Sequence, residues 1–268
     1  MSSRAMNGES PGGAQRYVAL GSSMAAGPGI RPRAAGSPLA AGRSARNYPH
    51  LAAEQLGLDL VDVTYSGATT ANVLRERQHS APPQIYALNG SEDLVTVTIG
   101  GNDVGYVPLL FAATLPAVLR AVPVLGDRLR ELQNPAAREE ALNQVGASLR
   151  EVGQVLRERS PRARIMFVDY LTLLPPHGTS APPLPDDVAD LGRYVAKRLA
   201  QQTFEAAQAT GCEVVHAAEV SRDHHAWSVD PWTVGAGSLL PWRPKPFHPN
   251  AAGMRAVADL IAARFRQP

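Results

Sequence analysis

The stretch RYVALG, Arg16 to Gly21, is a short apolar run closing on glycine, the pattern of a buried strand that breaks into a turn. Apolar runs recur in VDVTYSG (Val61 to Gly67) and LVTVTIGGND (Leu94 to Asp103), which also lead into glycine, and in ARIMFVDY (Ala163 to Tyr170) and CEVVHA (Cys212 to Ala217). These runs are rich in β-branched residues and nearly continuous in apolar character, as strands covered on both faces should be. Between them, Tyr48 to Leu56, Pro135 to Arg159, Asp187 to Thr210 and Ala251 to Phe265 carry apolar residues at three and four spacing, which predicts amphipathic helices. Pro249 and Asn250 supply the start of the last one. Parallel strands need crossover connections, so this alternation predicts an α/β fold: a central five-stranded parallel sheet with helices on both faces, a three-layer sandwich. In such sheets ligands bind at the carboxyl ends of the strands, where the strand order reverses.

Outside the alternating region, residues 1–15 are polar and contain Gly, Ser and Pro, which predicts a flexible leader ahead of a single domain over residues 16–268. The leader lacks the apolar core of a signal peptide and no run is long enough to span a membrane, so the expected compartment is the cytoplasm, with export the alternative if the start site is misassigned. The chain has 268 residues, 44% hydrophobic and 19% charged, enough for a substantial core. With 26 basic against 24 acidic residues, the formal charge of +2 lacks the footprint of a nucleic-acid binder. Cys212 is the one cysteine, which excludes an intrachain disulfide and a cysteine-based zinc site. Two Pro-rich stretches, Leu173 to Asp187 and Asp230 to Phe247, are expected to be long loops near the rim of the sheet.

The strand ends present a set of residue types that ester hydrolysis through a covalent intermediate requires: a nucleophile, a base and oxyanion donors. GSSMAAGPG after the first strand places Ser23 just past a glycine turn, where a helix N-terminus would aim its amide at an oxyanion. The second strand ends in Ser66 and Gly67, and a glycine there allows a backbone amide to come close. After the third strand, Gly100 and Gly101 precede Asn102 and Asp103, so the Asn102 amide can lean over the sheet edge as a donor. FHPN sets His248 immediately before the last helix. Each has an ordinary alternative: a turn serine, a turn glycine, an N-cap and a solvated histidine. All four at one edge of one sheet make coincidence the poorer explanation.

Together these segments resemble the SGNH (GDSL-like) hydrolase family of esterases and lipases. Its blocks are GDS near the N-terminus, a glycine after the second strand, G-x-N-D after the third and D-x-x-H near the C-terminus. The resemblance spans nearly the whole chain in order and implies the flavodoxin-like form of the sandwich. It implies Ser23 as nucleophile, the amides of Ser23 and Gly67 with the Asn102 side chain as oxyanion hole, and His248 as general base. No metal or organic cofactor is required, and the expected substrate is a lipid-like or short- to medium-chain ester.

Two positions depart from the pattern. Ser22 stands where the family has Asp, which leaves two adjacent serines, and Lys245 stands three residues before His248, where the imidazole-orienting carboxylate belongs. The main-chain carbonyl of Lys245, held extended by Pro246, is the expected substitute, ahead of Asp230 and Asp223 on the preceding loop. The apolar, Pro-broken stretch Val104 to Gly126 reads as a packed helix pair, or as an acyl-binding wall or lid. Arg31, Arg33, Arg43 and Arg46 after the nucleophile are either solvated or placed to meet an anionic group. Competing readings are an α/β-hydrolase, a nucleotide binder, a catalytically weak SGNH-fold binding protein, an acyltransferase and a carbohydrate deacetylase. The first two fit poorly. The GSSMA turn follows the first strand, where an α/β-hydrolase elbow follows several. The Gly-rich turn has neither G-x-G-x-x-G nor G-K-[ST].

Overall fold

The computed structural model describes residues 15–115, 123–236 and 243–267. The proposed leader lies outside these residues apart from its last member, Gln15. Five strands, β1 (Arg16–Gly21), β2 (Asp59–Asp62), β3 (Glu92–Thr98), β4 (Arg164–Val168) and β5 (Glu213–Val215), form one sheet in the order β2-β1-β3-β4-β5. Every pairing is parallel. The chain leaves β1 toward β2 on one side and returns to β3 on the other, so the strand order reverses between β1 and β3. The site expected at that reversal is the one that the first Gly-Ser turn occupies.

Alternation along the strands feeds two cores. Val18 and Leu20 of β1, Val95 and Val97 of β3 and Ile165 and Phe167 of β4 pack into one apolar cluster. Tyr17 and Ala19, Leu94, and Met166 and Val168 pack into the other. The first cluster is closed by α3 (Thr70–Leu74), α4 (Tyr106–Thr114), α6 (Pro135–Arg159) and α7 (Asp186–Ala209), the second by α2 (Tyr48–Leu56) and α9 (Ala251–Arg266). Short α1 (Ser23–Ala26) and α8 (Ala217–Val220) follow β1 and β5, and α5 (Pro123–Leu132) precedes α6. Leu142, Val145, Leu149, Val152 and Leu156 of α6 are fully buried at the three and four spacing that a core-facing stripe needs.

Capping fixes where the helices begin. Asn47 accepts the His50 N–H at 3.1 Å ahead of α2, and Asn134 accepts the Ala136 N–H at 3.0 Å ahead of α6. Asn250, two residues after His248, accepts from Ala252 and Gly253 at 2.9 and 3.0 Å and so caps the start of α9. The expected strands run longer than the observed ones at their carboxyl ends. Residues 63–67 and 99–103 leave the ladder and turn over the sheet edge, which brings Gly67 and Asn102 to the site. Val104 to Gly126 yields α4 and the start of α5, while residues 116–122 of that stretch lie outside the described ones.

Candidate active site

Ser23 is the first residue of α1 and His248 ends the loop before α9. The Ser23 hydroxyl and His248 Nε2 are 2.8 Å apart, both residues being buried at 8% and 6% exposure. With Nδ1 protonated, Nε2 is the acceptor and the serine O–H donates to it. The neighbouring Ser22 hydroxyl turns the other way, 3.4 Å from the Tyr170 hydroxyl, so of the two adjacent serines only Ser23 meets the histidine.

What orients the imidazole is not the expected group. Nδ1 donates to the carbonyl of Pro246 at 2.7 Å, rather than to that of Lys245. The cause is the residue between: Phe247 has φ +56°, a left-handed conformation that folds the Pro246 carbonyl back onto the ring. Surroundings hold Phe247 there. Its side chain is fully buried, and its N–H lies 3.0 Å from the carbonyls of both Val234 and Gly235, while Val234 N–H donates to the His248 carbonyl. Asp230 is elsewhere, its carboxylate 3.4 Å from His224 Nδ1 and its side chain 76% exposed. Asp223 is exposed too and makes no bond to His248. Burial, reinforced by the Lys245 charge, pushes the His248 pKa down to about 4 against the opposing effect of the Pro246 bond. The imidazole is therefore neutral near neutrality, as a general base must be.

Three residues that line one cavity carry candidate donors. Ser23 N–H opens a helix and so has no intrahelical acceptor. Gly67, at φ +83°, takes a turn that L side chains rarely adopt. Asn102 donates one Nδ2 proton to the Ala68 carbonyl at 2.8 Å, which fixes its amide plane and leaves the second proton. Among the described residues, neither the Ser23 nor the Gly67 amide has an acceptor, and all three residues line one cavity with His248. That cavity has a volume of about 810 Å³, and Ile30, Leu39, Val107, Pro108 and Phe111 supply apolar wall.

Two supporting residues escaped the sequence reading. The Asp103 carboxylate accepts from Thr70 N–H at 3.1 Å and from the Thr70 hydroxyl at 2.5 Å, tying the turn after β3 to the start of α3. The Tyr170 hydroxyl accepts from Gly101 N–H at 2.8 Å, tying the same turn to the end of β4. Asp103 stood in view beside Asn102 as an N-cap. Nothing local marked Tyr170, which reads as the tail of its strand.

Comparison with known proteins identifies the family. Residues 19–256 match the family described as GDSL-like lipase/acylhydrolase. Lipase 2 of Streptomyces coelicolor is 33% identical over 257 residues, covering 91% of this chain and 83% of that protein. The extracellular lipase of Streptomyces rimosus superposes with a TM-score of 0.76 at 25% identity, over 95% of this chain and all of that one. Phospholipase A1 from Streptomyces albidoflavus shares the fold with a TM-score of 0.71 at 24% identity, over 95% of this chain and all of that one. Among the described residues no helix is long and apolar enough to cross a membrane. With its parallel sheet, its Ser-His contact at the strand reversal and a family match over most of its length, the chain belongs to the GDSL-like lipase/acylhydrolase family.

Proposed function

We propose that the protein hydrolyses carboxylic esters through an acyl-enzyme on Ser23, with His248 as general base and acid. The observation that carries this reading is the 2.8 Å contact between the Ser23 hydroxyl and a buried, neutral His248 inside a cavity that also holds three unused donors. Ser23 Oγ attacks the ester carbonyl carbon as its proton passes to His248 Nε2. The carbonyl oxygen becomes an oxyanion held by Ser23 N–H, Gly67 N–H and Asn102 Nδ2. Collapse breaks the bond to the alcohol, which leaves with the proton from Nε2. Water then attacks the acyl carbon and gives its proton to His248, and collapse releases the acid and restores the serine hydroxyl. The Pro246 carbonyl keeps Nδ1 protonated throughout, so the lone pair stays on Nε2.

The apolar wall supports acyl chains as the group held beside Ser23, in line with relatives that are named lipases. The cytoplasm is the proposed compartment, whereas the structural relative from S. rimosus is an extracellular lipase. Finding the native protein in cells or in culture medium decides that point. Hydrolysis is tested with p-nitrophenyl esters of increasing acyl length. Turnover by the wild type that falls by about 10⁴-fold or more in both Ser23→Ala and His248→Ala supports the mechanism. A folded wild type without turnover of any of these esters sinks it.

A further inference from the structure

The peptide that joins Ser66 to Gly67 is held from two sides. Gln78 Nε2 donates to the Ser66 carbonyl at 2.9 Å, and among the described residues no other donor reaches that oxygen. On its other side Ser66 gives both its N–H and its hydroxyl to the Ala41 carbonyl, at 3.0 and 2.9 Å. The Ser66 carbonyl and the Gly67 N–H belong to one peptide unit. That unit is trans, so the two groups point in opposite directions. Ser66 and Gly67 line the active-site cavity, whereas Gln78 lines a second cavity of about 240 Å³ with Tyr65, Asn72 and Gln84. Among the described residues Arg43 alone lines both. A carbonyl anchored to Gln78 turns the N–H of the same peptide away from Gln78. The bond also acts electronically, because donation to a carbonyl polarises its peptide and strengthens donation from the N–H at the other end.

A tight turn holds Gln78 in place. Its N–H donates to the Ala81 carbonyl at 3.1 Å, and Ala81 N–H returns to the Gln78 carbonyl at 3.0 Å. His79, inside this turn, has φ +54°, and its ring stacks on Tyr65 with centroids 5.7 Å apart and planes inclined by 18°. Tyr65 precedes Ser66, and its own N–H donates to the Gly21 carbonyl at 2.9 Å. The turn is thus fastened to the segment whose carbonyl Gln78 binds. Among the described residues His79 and Phe247 are the two non-glycine residues with positive φ. Phe247 aligns the carbonyl that orients the base, and His79 sits next to the side chain that grips the Gly67 peptide. Left-handed backbone outside glycine gathers where the surrounding structure must impose a geometry on a site.

We propose that Gln78 is a positioning residue for ester hydrolysis: it fixes and polarises the Ser66–Gly67 peptide so that the Gly67 N–H meets the oxyanion, and it does so without touching substrate. The proposal rests on the reading of Gly67 as an oxyanion donor and adds the group that sets its direction. Gln78→Met keeps the length of the side chain and removes the donor, while Gln78→Glu keeps its shape and sets a carboxylate against the carbonyl. With p-nitrophenyl esters, kcat is expected to fall about ten- to a hundredfold in Gln78→Met and at least as far in Gln78→Glu. KM should stay within about twofold of wild type, because the oxyanion forms only on the way to the transition state. An alkyl trifluoromethyl ketone, which forms a tetrahedral adduct with a nucleophilic serine, should lose affinity in proportion to kcat/KM. Urea unfolding shows which variants fold, and where Gln78→Met does not, Gln78→Glu decides by the same criteria. A wild-type kcat in a folded variant overturns the proposal, as does a loss that falls on KM and leaves the affinity for the ketone intact. Carbonyl ¹³C NMR judges the contact without any turnover: the Ser66 resonance should move upfield in Gln78→Met, and an unmoved resonance overturns the contact. A wild type that turns over no ester is a failure of the hydrolase reading, whereas the Ser66 resonance still tells whether Gln78 holds the peptide.

Discussion

Asp103 receives both the backbone N–H and the hydroxyl of Thr70, so one carboxylate joins the turn that carries Asn102 to the helix that follows Gly67. Two of the proposed oxyanion donors are thereby held in register by a group that touches no substrate. Burial raises the Asp103 pKa while the Thr70 bonds hold it down. Asp103→Ala is expected to lower kcat about ten- to a hundredfold with little change in KM, a size usual for partners that orient a site from behind. Thr70→Val, which keeps the backbone donor, should lose less. A KM effect without a kcat effect would contradict the positioning role.

Asn102→Ala removes one oxyanion donor and should cost about 10²- to 10³-fold in kcat, because that interaction strengthens as charge develops on the substrate oxygen. Single-turnover kinetics with a chromogenic ester measure it directly. A loss confined to KM would instead make Asn102 a binding residue.

The Tyr170 hydroxyl satisfies the buried Gly101 N–H, and Tyr170→Phe leaves that donor without a partner. The expected cost is about 1–3 kcal/mol in urea unfolding, with a reduced kcat from the loosened Asn102 turn. Unchanged stability would mean that the N–H finds another acceptor.

Activity should persist well into acid. The base titrates at about 4, so kcat/KM is expected to hold from neutral pH down to near that value, with a single acid limb. Asp230→Asn should leave the profile in place, since that carboxylate lies beside His224 and not His248. An acid limb near the ordinary histidine range would show an imidazole less buried than described.

The same titration makes stability pH-dependent. Below its ordinary value of 6.5 the unfolded chain protonates His248, while the folded protein keeps it neutral down to about 4. The unfolded state then binds more protons, so stability falls as pH drops through that window, by on the order of 3 kcal/mol in full. Asp169 acts in the opposite sense, because burial lifts its carboxyl to about 7 and the folded state holds the extra proton from 3.8 upward. Comparing His248→Gln with the wild type in urea at several pH values isolates the histidine: the wild type should lose stability relative to the variant on acidification. Parallel curves would refute the linkage.

Much of this architecture is legible in the sequence because its signals are local. Buried parallel strands read as nearly continuous apolar runs, the first three leading into glycine, and the long helices α2, α6, α7 and α9 begin and end within a residue or so of the expected positions. Ser23, Gly67 and Asn102 were reachable as strand-end residues and His248 as the residue ahead of the last helix, and all four line one cavity. What escaped depends on tertiary contacts. The five-residue α3 is too short to show a period. The partners of Asp103 and Tyr170 lie 33 and 69 residues away. The choice of Pro246 over Lys245 hangs on the sign of one φ angle at a phenylalanine, for which no residue preference gives warning.

The bond from His248 to the Pro246 carbonyl spans only three consecutive residues. In a triad the orienting carboxylate and the imidazole can drift apart if their supports move independently. Here they cannot, since the ring and its acceptor ride on the same turn of chain. A shift of this loop would change the reach from Nε2 to the serine and nothing about which nitrogen carries the proton. The base is self-aligned, and the separation between two segments of backbone is the one coordinate that switches it on or off.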